Sequence, residues 1–180
     1  MTSLKRPENA AGQRLKYTYL YDDQVQTYVT AISDDYGYSS SATYDFSFGQ
    51  VLSATDMNGQ QTQYTFDKAG RILTIRGPLE IATNRPFTIS FVYHPEAAVP
   101  WALAKHFDPA RPSNFLEFVS FSDGLEREIQ TKKDIALFVS PLAADQEVMM
   151  VTGSTAFDAF GRTVSEHYPI TEMKGNTGLI

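Results

Sequence analysis

The sequence contains no cysteine. Disulfides, zinc–thiolate centres and thiol nucleophiles are therefore excluded together. Histidine is scarce: His94, His106 and His167 are far apart, and none stands at the i, i+2 or i, i+4 spacing of a ligand pair. No apolar run approaches the roughly 18 residues that span a bilayer. No apolar stretch follows Lys5-Arg6, so the first residues do not read as a signal peptide. There is no glycine-rich phosphate loop and no Gly-x-Ser-x-Gly elbow; Gly153-Ser154 lacks the second glycine. No cofactor motif is present. An excess of positive charge is also missing. The formal net charge is −6, which repels a phosphate backbone and argues against nucleic acid as a partner.

What the sequence has in quantity is aromatic side chains: twelve Phe, ten Tyr and one Trp in 180 residues. These suit pleated, half-buried surfaces. Their spacing has period two. Leu15, Tyr17, Tyr19 and Tyr21 share one strand face, as do Thr62, Tyr64 and Phe66, and Phe87, Ile89, Phe91 and Tyr93. Shorter strands are expected over Thr27–Ile32, Val51–Thr55, Ile72–Arg76, Glu117–Phe121, Glu128–Thr131, Val148–Thr152 and Val164–Tyr168. Helical signal is weak, limited to single turns within Glu96–Phe107 and Pro141–Glu147. The fold class is mainly β: antiparallel hairpins forming an open or curled sheet, with little helix.

A short pattern repeats along the chain. Tyr44-Asp45 leads to Gly49, Phe66-Asp67 to Gly70-Arg71, Phe121-Ser122-Asp123-Gly124 to Arg127, and Phe157-Asp158 to Gly161-Arg162. A related turn holds Asp56 and Gly59. The aromatic ends an incoming strand, the aspartate accepts a backbone N–H two residues on, and the glycine supplies a left-handed backbone. That is a type I turn with a G1 bulge. The carboxylate pairs Asp22-Asp23 and Asp34-Asp35 read as turn or loop residues, since neighbours on a strand face opposite ways and cannot work jointly on a sugar.

With these residues the sequence resembles the YD-repeat, or RHS-repeat, family. Ser41–Pro78 is similar to two linked units. Phe121-Ser122-Asp123-Gly124-Leu125 through Gln130-Thr131-Lys132-Lys133-Asp134 resembles the subfamily of toxin-complex and virulence-plasmid proteins. The first turn departs by one extra residue before Gly49, and Glu126 stands where the family usually has glycine. The resemblance implies a non-catalytic segment of a large secreted or surface protein. In such families the repeats wind into a shell of β-sheet that can enclose a toxin-like C-terminal region. Implied partners are neighbouring repeats of the same chain, toxin-like cargo or surface carbohydrate. The alternative is a carbohydrate- or protein-binding module, for which Tyr36, Tyr38 and Trp101 are the candidate stacking residues.

The expected organisation is a flexible arm over 1–12, a repeat domain over 13–170 with an internal boundary near 107–114, and a tail over 171–180 in which Gly175-Asn176-Thr177-Gly178 is frayed. Exposed sheet edges are expected near Leu15–Tyr21 and Val164–Tyr168, to be covered by a terminal arm or by self-association.

Overall fold

A computed structural model describes residues 3–110, 114–141 and 144–180. The protein is mainly β, with 49% of residues in strands and 3% in helix. The chain divides into two compact units, Met1–Thr88 and Ile89–Ile180.

The first unit is an antiparallel meander. Its strands are β1 (Ser3–Lys5), β2 (Lys16–Tyr21), β3 (Val29–Asp34), β4 (Ser39–Asp45), β5 (Gln50–Thr55), β6 (Gln61–Phe66) and β7 (Ile72–Arg76), each paired with the next. Register is set by cross-strand pairs such as Tyr19↔Ile32, Ala42↔Ala54↔Thr62 and Tyr64↔Ile75. The opposite face carries hydroxyls bonded across strands, Thr43 with Ser53 at 2.7 Å and Thr65 with Thr74 at 2.6 Å. The short helix α1 (Pro78–Ala82) follows β7 and has proline in its first turn, where no N–H partner is lost.

The second unit holds β8 (Ile89–His94), β9 (Trp101–His106), β10 (Leu116–Ser122), β11 (Glu128–Leu137) and β12 (Gln146–Gly153), again paired in sequence order. β13 (Ala156–Phe157) and β14 (Thr163–Ser165) then leave this sheet and pair only with each other. β15 (Ile170–Met173) returns to lie against β12. The core is one face of this unit, where Leu103, Val119, Phe121 and Met149 cluster with Val99, Trp101 and Ile129 packed against them.

Several expectations change. Glu96–Phe107 contains strand β9 rather than a helical turn, because Leu103 opposite Val119 buries an apolar row that a single turn could not. The helix lies instead at Pro78–Ala82. The arm over 1–12 includes β1, which pairs with β2 and so lies along the edge near Leu15–Tyr21. Thr163–Ser165 is not the outer strand of the sheet; β15 is. The division between units falls at Thr88/Ile89, whereas residues 107–114 link β9 to β10, two strands paired with each other. Residues 111–113 of that link, and 142–143 of the turn expected at Pro141–Glu147, lie outside the described residues; β12 begins at Gln146.

Candidate functional site

The recurrent feature of the chain is the carboxylate turn, and at Asp67, Asp123 and Asp158 it has one geometry. In the turn from β6 to β7, Asp67 Oδ1 accepts the N–H groups of Ala69 at 2.8 Å and Arg71 at 2.9 Å. Gly70 N–H donates to the Asp67 carbonyl and has φ of 80°. Arg71 Nε then donates to Asp67 Oδ2 at 2.7 Å. Asp158, with Phe160, Gly161 (φ 79°) and Arg162, repeats each of these contacts between β13 and β14. Asp123 does the same between β10 and β11, receiving Leu125 and Arg127 N–H and the Arg127 Nε. Beside all three turns the ladder slips by one residue, at Thr65/Phe66, Ala156/Phe157 and Phe121/Ser122.

In the Asp123 turn the left-handed position is held by Glu126 (φ 61°), the residue that stands in place of glycine; Gly124 lies earlier in the turn. The Glu126 N–H reaches the Asp123 carbonyl at 3.1 Å, so the turn closes without glycine. The aspartate and the main-chain hydrogen bonds define the turn, and glycine only lowers the strain of its fourth position.

The same geometry occurs at positions the aromatic-Asp pattern did not include. Asp56 accepts from Asn58 and Gln60. Asp34 accepts from Tyr36 and Tyr38, with Gly37 at φ 88°. Asn9 accepts from Ala11 and Gln13, with Gly12 at φ 73°. Their shared signal is Asp or Asn three residues before glycine, without an aromatic in front. The longer Asp45 turn keeps the Ser47 N–H contact at 2.7 Å and Gly49 at φ 68°.

Asp22, between β2 and β3, is the extreme case. Its two oxygens accept five backbone N–H groups, from Gln24, Val25, Gln26, Thr27 and Tyr28, at 2.6 to 3.1 Å. Burial by itself would raise its pKa; the N–H groups of Tyr28, Val25, Thr27 and Gln26 outweigh that and hold it at about 2. Asp56, Asp67 and Asp158 are also lowered, chiefly by the backbone N–H of Gln60, Arg71 and Arg162 respectively. Asp123 is lowered first by the Arg127 side chain. These carboxylates are fixed anions engaged by their own turns, poorly suited to move protons.

Successive turns of a meander alternate between its two ends. In the first unit the Asp22, Asp45 and Asp67 turns share one end, and Asn9, Asp34 and Asp56 the other. At the first end the turns pack on one another. Tyr28 stacks on Tyr44 at 4.9 Å, and a Cβ on Gly49 would come within 2.6 Å of the Tyr28 hydroxyl. A Cβ on Gly70 would meet the Phe48 ring at 3.1 Å, and Gln50 Nε2 donates to the Gly70 carbonyl at 2.5 Å. At the other end Gly12, Gly37 and Gly59 have nothing within 4 Å. In the second unit Arg127 lies over the Phe157 ring at 4.0 Å and against Gly161, joining the Asp123 and Asp158 turns.

Tyr36 and Tyr38 project from the Asp34 turn and are exposed. Trp101 lies in the other unit, stacked on His94 at 4.0 Å and tilted against Phe121 at 6.3 Å; its ring packs against the core. Among the described residues no group of three or more His, Asp or Glu could hold a metal ion, and no helix is long and apolar enough to cross a membrane.

A meander whose turns are closed by recurrent aspartates defines a class, the strand–turn repeat sheet. Residues 44–79, with the Asp45, Asp56 and Asp67 turns, match the RHS Repeat family, so the chain carries an RHS, or YD, repeat. No curated relative matches the chain. Among solved structures it is similar to a chain of TcdB2-TccC3-TEV, with a TM-score of 0.66 and 18% identity over 87% of this chain. TcdB2-TccC3 without its hypervariable C-terminal region (TM-score 0.64, 18% identity) and the Photorhabdus luminescens Tc holotoxin pore (TM-score 0.65, 17% identity) are matched over the same share. This chain spans 12% of the length of each of those chains. At such identity the likeness is one of fold.

Proposed function

We propose that the chain is a non-catalytic structural segment of a large secreted or surface RHS/YD-repeat protein, and that its sheet forms part of a shell or scaffold around toxin-like cargo. One observation carries the reading: strand–turn units closed by an Asp or Asn side chain follow one another, and the carboxylates among them are consumed by turn hydrogen bonds. Such a segment extends a wall by adding hairpins, because each new strand satisfies the backbone groups left by the last. Its partners are the neighbouring repeats of the same chain. The likeness to Tc toxin chains of much greater length supports a parent of that kind.

Electron cryomicroscopy of the full-length parent tests this. The expected result is that β2 through β12 run within a continuous wall that surrounds the C-terminal region. A segment standing outside any enclosing wall, or turnover abolished by one substitution in this chain, would overturn it. A glycan that binds through Tyr36 and Tyr38 would point instead to a binding module.

A further inference from the structure

A polar stripe runs through the core face of the second unit. Gln130, Lys132 and Asp134 alternate along β11 and therefore share one face. Their cross-strand neighbours are Val119, Phe121, Met149 and Val151, all buried hydrophobics, and Gly153 opposite Gln130. Gln130 and Lys132 are themselves fully buried, and Asp134 is 9% exposed. An ammonium in such a place is costly unless it is paired and its remaining protons are satisfied.

All but one of the partners come from one distant stretch of chain, the exception being Ser154. Lys132 Nζ donates to Glu172 Oε1 at 2.5 Å and to the Asn176 carbonyl at 3.3 Å. Glu172 Oε2 accepts from Asn176 Nδ2 at 2.6 Å. Asp134 pairs with Lys174, whose Nζ also donates to Asn114 Oδ1 at 2.6 Å and the Phe115 carbonyl at 2.7 Å, with Glu147 Oε2 at 3.8 Å. Gln130 reads main chain in both directions, accepting from Ile180 N–H at 3.0 Å and donating to the Ile180 carbonyl at 3.4 Å and to Ser154 Oγ. Glu172 and Lys174 face the stripe, whereas Ile170 and Met173 are 49% and 81% exposed. β15 pairs with β12 at four register positions, against eight between β11 and β12. The occupant is thus held by a short ladder, and its side-chain contacts with the stripe add to it.

We propose that Gln130, Lys132 and Asp134 form a peptide-recognition seat, filled here by the end of β15 and the bent stretch beyond it to Ile180, which accepts a segment with an acidic residue at the end of an extended run and Lys two positions later. The spacing follows from the stripe: seat residues two apart on a strand meet partners two apart on the occupant. The charge order gives specificity, since a reversed segment would set ammonium against ammonium and carboxylate against carboxylate in a dry site.

The test uses the full chain carrying Glu172→Lys and Lys174→Glu, which leaves the seat intact and repels its occupant. A fluorescein-labelled peptide of residues 168–180 is added, and anisotropy is read. The expected result is binding at least tenfold tighter than that of the same peptide with both charges reversed, and no comparable binding to the native chain. Equal binding of the two peptides, or binding of neither, would overturn the proposal. If circular dichroism shows that the variant does not fold, hydrogen exchange on the native chain decides. Amides of Ile170–Met173 should then exchange at least tenfold faster than those of β11, and faster still when the unlabelled peptide is added in an excess large enough to compete with the tethered occupant. Equal protection of β15 and β11, unmoved by peptide, would overturn the proposal equally.

Discussion

Six buried hydrophobic side chains hold the second unit together, whereas the described residues of the first unit bury only two side chains, Asp22 and Glu80. Both are acidic, and both are hydrogen-bonded: Asp22 by five backbone N–H groups, Glu80 by the Thr88 hydroxyl at 2.5 Å. The second unit follows the ordinary rule that apolar burial drives folding. The first spreads half-buried side chains over both faces of a meander and fixes its shape at the turns. Strand ladders supply the sheet, and the Asp and Asn side chains of the turns, of which Asp22 is buried, decide where each strand reverses.

The comparison breaks if a core residue of the second unit matters no more than a half-buried one of the first. Phe121→Ala should cost about 3–5 kcal/mol in a urea titration, the range for losing a buried phenyl ring, while Ile32→Ala on β3 should cost less than half of that. Next in size is the acid sensitivity of the first unit. The pKa of Asp22 is lowered from 3.8 to about 2 on folding, so its ionised form stabilises the fold above pH about 4 and this contribution is lost as pH falls through 2. Asp22→Asn should lower Tm at pH 7 by on the order of 5 °C and flatten the decline between pH 4 and 2; an unchanged acid profile would count against the carboxylate loop. The two rows of turns give a finer contrast. Gly49→Ala, at the packed end, should cost about 2–3 kcal/mol, since it adds a contact with Tyr28 to the left-handed strain, and Gly59→Ala, at the open end, about 1 kcal/mol from strain alone. Equal losses would show that turn-on-turn packing contributes nothing. The smallest effect belongs to Arg162→Gln: its side chain is 74% exposed in the ion pair with Asp158, and Tm should move by less than about 2 °C.

The sequence carried the strands whose partners are near, and less of those whose burial depends on distant chain. Ile72–Arg76 was legible to the residue as β7, because Ile72 and Ile75 face a neighbouring strand one tight turn away. β11 was legible only to Thr131 but runs on to Leu137. Its inward positions are Gln130, Lys132 and Asp134, polar residues with no local signal of burial; the counter-charges of Lys132 and Asp134 come from Glu172 and Lys174, 40 residues on. β9 was obscured by Ala102, Leu103 and Ala104, whose local preference leans to helix but is overridden by pairing with β8 and β10. Asp67 and Asp158 were legible as turn formers from the residues around them. Asn9 and Asp34 lack the preceding aromatic, and Glu126 shows why a search for glycine alone misreads such a turn.

The order of strands also has a kinetic side. Within each unit every strand pairs with its neighbour in sequence, except that β12 takes β15. Contacts this local allow the sheet to zip up hairpin by hairpin, each strand finding a template as it emerges from the ribosome. β15 is different: it must wait for β11 and β12 to form and for the β13–β14 hairpin to turn aside. The last strand to dock brings the counter-charges for Lys132 and Asp134, so closure of the second unit becomes a late step with its own rate.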